Sequence, residues 1–531
     1  MAGTNIHAVE LVLLVLFALI IFFVAVARRV KIPYPIVLVV AGLLIGLLPR
    51  GPRVALDPDV VFLIVLPPLL YSAAWQTSWR EFSRNFLIIF LLAFGLVGFT
   101  AFGVAAVAPS ILPGFDWRSG FVLGAVVATT DAVAATSIAK RIGLPQRIVD
   151  ILEGESLVND ATGLLALEVG VSMLQKSDTP SVLFSIGRLL QLTFVGIALG
   201  LLVGFVVDKV ERFIEDSQIE IAISLLIPYG VYMAANALHA SGILAVVACG
   251  LYLSRRSTYF FSPWARIQIY AVWDSLVFLL NGIVFILIGL QLPYVRAEIT
   301  HFGTGPLLLY CAVFSAVLIL LRLFWVYPAT ALSVLAERLL LHRPAKFPGT
   351  RRVFVVGWTG MRGVVALAAA LSVPAAVGQN VPFRQRNLII FLTYSVILVT
   401  LVLQGLSLPA LIRKLGLAGA DGENCEEYEA RRMMLEAARS RLEQLKGRDP
   451  DFENVYEHVD RHYQDRLLAI THEEDVGKTM QEMQRFRHVT REMRHVERET
   501  AINLRNQRRI SDELLRKLER ELDLLDSRAA L

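Results

Sequence analysis

The chain offers one apolar run after another, each about 17 to 25 residues long and so able to cross about 30 Å of hydrocarbon as a helix. The pattern stops only near Ala418. Of 531 residues, 55% are hydrophobic and 18% charged, which places the chain among polytopic membrane proteins of the all-α class. About thirteen blocks of that length can be counted, beginning near Val9, Pro35, Val60, Phe86, Gly120, Ile148, Val182, Ile221, Ala240, Tyr270, Pro306, Val353 and Asn387. The blocks at Ile221 and Ala240 are short, and residues 236–242 between them include Asn236, His239, Ser241 and Gly242. They read either as two helices or as one distorted pair.

Charge orients the blocks. The first is followed by Arg28, Arg29 and Lys31 and by no small-residue cleavage site, so it reads as a retained helix and not as a signal peptide. Alternate loops carry the basic residues, among them Arg80 and Arg84, Lys140, Arg141 and Arg147, Lys209 and Arg212, Arg255 and Arg256, and Lys346, Arg351 and Arg352. Lys and Arg accumulate on the cytoplasmic side, so the amino terminus is expected outside and the tail inside, in the plasma (inner) membrane. The formal charge of +5 is small for this length and argues against a nucleic-acid partner. Three cysteines, Cys249, Cys311 and Cys425, have neither pairing nor metal spacing.

Residues 1–415 are thus expected to form a transmembrane domain and residues 416–531 a helical cytoplasmic tail. Apolar residues recur in that tail at helical spacing, as in 428–445 and 514–525. A solvated charged appendage and a regulatory or self-associating module both fit it.

Ionisable groups inside a membrane are costly and mark function or pairing. The fifth block carries Thr129-Thr130-Asp131 and Thr136, and the sixth carries Glu153-Gly154-Glu155-Ser156-Leu-Val-Asn159-Asp160-Ala-Thr162-Gly163. On a helix Ser156 and Asp160 share one face and Glu155 and Asn159 the adjacent one, so oxygen ligands converge on one side of the span. Hard cations want such oxygens, and no Cys or His accompanies them to favour a transition metal. Asp131 is placed to neutralise backbone amides at a break in its own helix. A late block reads Gly357-Trp-Thr-Gly360-Met-Arg362-Gly363. Glycines interrupting two spans in opposite halves of a transporter point to discontinuous helices crossing near the midplane. Arg362 must there meet a carboxylate or backbone carbonyls. Asn281 in the tenth block reads as structural.

These segments resemble the monovalent cation/proton antiporter family of the NhaP and sodium/hydrogen-exchanger type, over about the first 415 residues. The residues that carry the likeness are Thr130-Asp131, the string from Glu153 to Asp160, Leu280-Asn281-Gly282 with Gly289-Leu-Gln-Leu-Pro293, and Gly360-Met-Arg362-Gly363. The resemblance implies inverted repeats, two discontinuous crossing helices, a homodimer, and exchange of sodium for protons by alternating access for pH and cation homeostasis. It implies that Asp160 carries cation and proton in turn, that Glu155, Ser156 and Thr130 help to coordinate sodium, and that Asn159 orients the site. One position departs from the family pattern. Many relatives place an acid after a Pro-Pro-Leu-Leu-Phe string in the third span, where this chain has Pro67-Pro68-Leu69-Leu70-Tyr71-Ser72. Ser72 cannot balance Arg362, which leaves Glu155 or another carboxylate for that part.

One carboxylate that holds either a proton or a cation suffices for exchange if the empty charged site does not cross. Burial and neighbouring cations act on its pKa in opposite senses, so transport is expected to depend on pH. With Asn159 and not a second acid beside Asp160, one ion for one proton, electroneutral, is the simplest stoichiometry. No cofactor is called for. Potassium/proton exchange fits the same oxygens; a cation channel or a membrane sensor fits them less well. An intramembrane aspartyl protease built on Asp131 and Asp160 would leave Asn159, Glu155 and Arg362 without a place, and no nucleophile or phosphate loop argues for any other enzyme.

Overall fold

A computed structural model describes residues 6–48, 56–175, 182–214, 216–260, 263–297, 299, 303–339, 342, 346–377, 381–418, 423–446, 453–471, 476–507, 509, 511, 514–515, 517–519 and 521–523. Part of the expected 514–525 helix lies outside the described residues. The chain divides into two compact units, Met1–Ala420 and Asp421–Leu531.

In the first unit the apolar blocks fold, in chain order, as α1 Ile6–Val30, α2 Tyr34–Gly46, α3 Pro58–Gln76, α4 Phe86–Ile111, α5a Trp117–Ala128 and α5b Ala132–Ile142, α6 Gln146–Gln175, α7 Val182–Glu211, α8 Ser217–Ala237, α9 Gly242–Phe260, α10 Pro263–Leu290, α11 Thr304–Leu339, α12a Thr350–Trp358 and α12b Val364–Ser372, and α13 Arg386–Lys414. The ambiguous pair is two helices. Leu238 ends α8, His239 turns the chain with φ 51°, and α9 starts at Gly242. Nine helical runs among the described residues are long and apolar enough to cross a bilayer. Thirteen crossings are not established by that measure: α1, α2, α9 and α12 fall outside the nine, α2 having only 13 residues and α12 being split into two pieces of 9. The described residues are otherwise almost free of strand, with one two-residue antiparallel pair, β1 Ala376–Val377 and β2 Val381–Pro382.

Two helices widen for reasons visible in their residues and contacts. In α3, Pro67 and Pro68 have no N–H to give to the preceding turn, and residues Val61–Val65 form a π-helical turn. The Ile64 carbonyl instead accepts from the Tyr229 hydroxyl of α8 at 3.1 Å. In α4 the π turn Leu91–Gly95 lies beside α11, and the Trp325 indole N–H donates to the Leu91 carbonyl at 3.1 Å. Hydrocarbon supplies no replacement donors, so side chains of neighbouring helices must serve freed carbonyls. Helices α4, α5a and α6 pack on one another, and α11 packs on α4 and α12a, so the polar residues of α5 and α6 are enclosed by protein.

The second unit holds α14 Glu423–Lys446, α15 Glu453–Thr471 and α16 Val476–Asn506. Arg439 of α14 pairs with Asp460 of α15 at 2.8 Å, and Lys446 with Glu453 at 3.0 Å.

Candidate ion-binding site

The polar strings of the fifth and twelfth blocks are helix breaks. Thr129 leaves α5a in an extended conformation (φ −64°, ψ 138°), and Asp131 opens α5b as its N-cap, its carboxylate accepting from the Val133 N–H at 2.8 Å. This is the capping role read from sequence: a short acid satisfies amides that a helix start leaves free. In the twelfth block, residues 359–363 separate α12a from α12b. The two breaks cross each other. The Asp131 N–H donates to the Met361 carbonyl at 2.8 Å, and a Cβ on Gly363 would collide with the Asp131 carboxylate. Glycine at 363 is therefore a condition of the crossing.

The uninterrupted helix α6 passes the crossing and presents two faces with different fates. Ser156 and Asp160 line a cavity of about 380 Å³, together with Thr129, Thr130 and Asp131. The Ser156 hydroxyl accepts from the Ala132 N–H at 3.2 Å, a second cap on the start of α5b. Asp160 has no hydrogen bond or ion pair to another described residue and is 8% exposed. Toward the loop side the cavity includes Lys140 and Glu153, which pair at 2.9 Å.

The Glu155 and Asn159 face is occupied by protein. The Glu155 carboxylate accepts from both terminal nitrogens of Arg322, at 2.5 and 2.9 Å, and from the Thr130 hydroxyl at 3.1 Å. The Asn159 amide donates to the same Thr130 hydroxyl, while its own carbonyl oxygen is buried without a partner. Arg322 spans further, donating to the Val356 carbonyl at 3.1 Å. A Cβ on Gly360 would collide with the Arg322 side chain. Both partners of the ion pair are 1% exposed.

Arg362 has no carboxylate partner among the described residues. Its guanidinium donates to the Val127 carbonyl at 3.1 Å and to the Gly360 carbonyl, and its backbone N–H donates to the Thr400 hydroxyl at 3.2 Å. Of the two options that sequence left for it, carbonyls are the one realised. A cation suits that place, because Val127 belongs to the last turn of α5a, where helix carbonyls concentrate negative partial charge. The suggestion that Glu155 balances Arg362 is corrected: Glu155 is taken by Arg322. Ser72 lines the cavity and accepts from the Gln76 amide at 3.2 Å. Thr136 and Asn281 also line the cavity, whereas the Thr162 hydroxyl bonds back to the Val158 carbonyl of its own helix.

Sequence reasoning missed Arg322. It stands in mid-helix within Leu318-Ile-Leu-Leu-Arg322-Leu-Phe, and the cost of a charge at membrane depth was the signal that could have found it.

Two broken helices crossing beside a buried acid define the site of an ion-coupled membrane transporter. Residues 13–414 match the model of the family described as sodium/hydrogen exchanger, transmembrane, and the chain belongs to that family. An uncharacterised Na+/H+ exchanger of Mycobacterium tuberculosis is 33% identical over 97% of this chain and 95% of its own length. A sodium, potassium, lithium and rubidium/H+ antiporter of Bacillus pumilus is 33% identical over 81% of this chain and 65% of its own length. The solved sodium proton antiporter MjNhaP1 of Methanocaldococcus jannaschii shares the fold, with a TM-score of 0.59 at 19% identity over 77% of this chain and 99% of that one.

Proposed function

We propose that the protein exchanges sodium for protons across the plasma (inner) membrane by alternating access, with Asp160 carrying either ion in turn. The observation that carries this reading is the division of α6, whose Ser156/Asp160 face opens on a cavity while its Glu155/Asn159 face is bound to fixed partners. A carboxylate without a partner at membrane depth is costly until a proton or a cation compensates it. Asp160 can hold one of these and not both, so filling it with sodium releases the proton.

Ser156, Thr130 and Asp131 supply further oxygens for sodium from the cavity wall. Glu155, expected in the cation's shell, instead acts with Arg322 to hold the Thr130 hydroxyl, and Asn159 orients it from the other side. Arg362 compensates the carboxyl end of α5a. With Asn159 neutral, one sodium moves for one proton and the exchange is electroneutral. The transporter works as a homodimer without a cofactor, its amino terminus outside and its tail in the cytoplasm, for pH and cation homeostasis. A second reading, potassium/proton exchange, is favoured by the ion range in the name of the similar Bacillus pumilus protein.

The experiment is proton flux into proteoliposomes, read with a pH-sensitive dye, on adding sodium, lithium or potassium to the native protein and to Asp160→Asn. Sodium is expected to dissipate the pH gradient in the native protein only. Flux in neither protein with any cation would replace exchange by a channel or a sensor, and flux unaffected by the substitution would remove Asp160 from the mechanism.

A further inference from the structure

A second cavity, about 560 Å³, lies apart from the crossing and is built with the opposite charge. Four cationic side chains line it, Arg84, Arg147, Lys346 and Arg352, against one carboxylate, Glu337, for a net formal charge of +3. The four come from three separate stretches of chain, the short helix Trp79–Arg84 before α4, the start of α6, and the α11–α12a connection with the start of α12a, all on the basic side of the charge alternation. Arg147 donates to the Asn85 side chain at 3.1 Å, and no carboxylate among the described residues pairs with any of the four. Four like charges gathered around a single carboxylate repel one another, and an anion placed among them lowers that repulsion. One further feature favours an anion. Arg147 and Arg352 stand in the first turns of α6 and α12a, where helix amides add positive partial charge. The Thr330 and Ser333 hydroxyls of α11 also line the cavity, but each already donates its proton within its own helix, to the Val326 and Thr330 carbonyls.

The rest of the lining is apolar, with Ile88, Ile151, Val334 and Val356 on the wall and Phe347, 40% exposed, at the rim. Cationic groups beside apolar wall at the end of membrane helices match a phosphate that carries a hydrocarbon portion. We propose that this cavity is a binding site for a phosphate-bearing anion, which an anionic phospholipid headgroup or a soluble phosphate compound would fill. An occupant would tie α12a to α6, one wall residue away from the ion site: Val356, in the lining, is the residue whose carbonyl receives Arg322. The site does not depend on which cation is exchanged.

The test uses full-length protein in detergent and reads its thermal midpoint against added phosphatidylglycerol, phosphatidylcholine or inorganic pyrophosphate. Three proteins are compared: native, Arg84→Gln/Arg352→Gln, and a control, Arg29→Gln/Arg255→Gln, that loses two exposed charges from the C-terminal parts of α1 and α9, outside the cavity. Phosphatidylglycerol, and not phosphatidylcholine, is expected to raise the midpoint of the native and control proteins. The cavity variant should need about tenfold more for the same rise, the scale of one or two lost charge-assisted contacts. If pyrophosphate reproduces the rise with the same loss in the variant, the site stands and its ligand is a soluble phosphate. Lys346→Gln, on a loop, repeats the test at smaller size if the double variant has a lowered midpoint of its own. Equal responses in variant and native protein, or no anion-dependent rise in the native one, would overturn the proposal.

Discussion

Two ion pairs of the same chemistry sit in opposite settings. Arg322–Glu155, in the membrane unit, is 1% exposed on both sides, whereas Arg439–Asp460, in the tail, is 29% and 30% exposed. In the tail, water solvates either partner alone, and such a pair contributes about 0 to 1 kcal/mol. In the membrane unit no water replaces a lost partner, so each charge exists only because the other does. The difference separates scaffold from carrier: Glu155 is compensated permanently by protein, and Asp160, five residues further along α6 and on its other face, is left for a mobile ion.

The comparison can be broken most forcefully at Arg322. Arg322→Met leaves Glu155 buried without its partner and should lower stability by about 3 to 5 kcal/mol, read by thermal denaturation of the purified protein. Adding Glu155→Gln should recover much of that loss; a single variant as stable as the native protein would mean that the pair is not buried as described. Next in size are the close approaches at the crossing. Gly360→Ala presses a methyl against the Arg322 side chain and Gly363→Ala presses one against the Asp131 carboxylate. Each should cost about 1 to 3 kcal/mol by overpacking, and the change at 363 should also slow exchange, because it displaces a cavity residue. Equal exchange rates in the two variants at equal stability would argue against a role for Asp131 in the site.

The smallest effect belongs to the tail. Arg439→Ala should change stability by less than about 1 kcal/mol, and less still in high salt. Its pH dependence has a definite sign. The Arg439 hydrogen bond holds the Asp460 carboxyl below its ordinary value. The contribution is therefore full above the ordinary carboxylate pKa and fades as pH falls through the lowered one. Titration of Asp460 by NMR in native and Arg439→Ala protein checks this, and an unchanged midpoint would contradict it.

Much of this contrast was legible in the sequence. Apolar length and loop charge gave the helical membrane class, and the 155/159 and 156/160 spacings gave two faces of one helix. Glycines 360 and 363 located the second break. What the sequence left open is three-dimensional. Ser156/Asp160 and Glu155/Asn159 are equivalent by periodicity, and only the approach of α11, bringing Arg322, decides which pair meets protein and which meets the cavity. The partner of Arg362 could not be read either, since the Val127 carbonyl becomes an acceptor only where α5a ends. The basic residues of the second cavity were visible as loop charges, but their convergence depends on the packing of α4, α6, α11 and α12a.

The central claim is that sodium and a proton compete for one carboxylate, and the most direct test is the apparent KM for sodium in proteoliposomes across a series of pH values. If Asp160 holds either ion, the KM should rise as pH falls, by up to about tenfold per unit where protons occupy the site, with the maximal rate at saturating sodium little changed. A KM independent of pH, with only the maximal rate responding, would contradict a shared carrier.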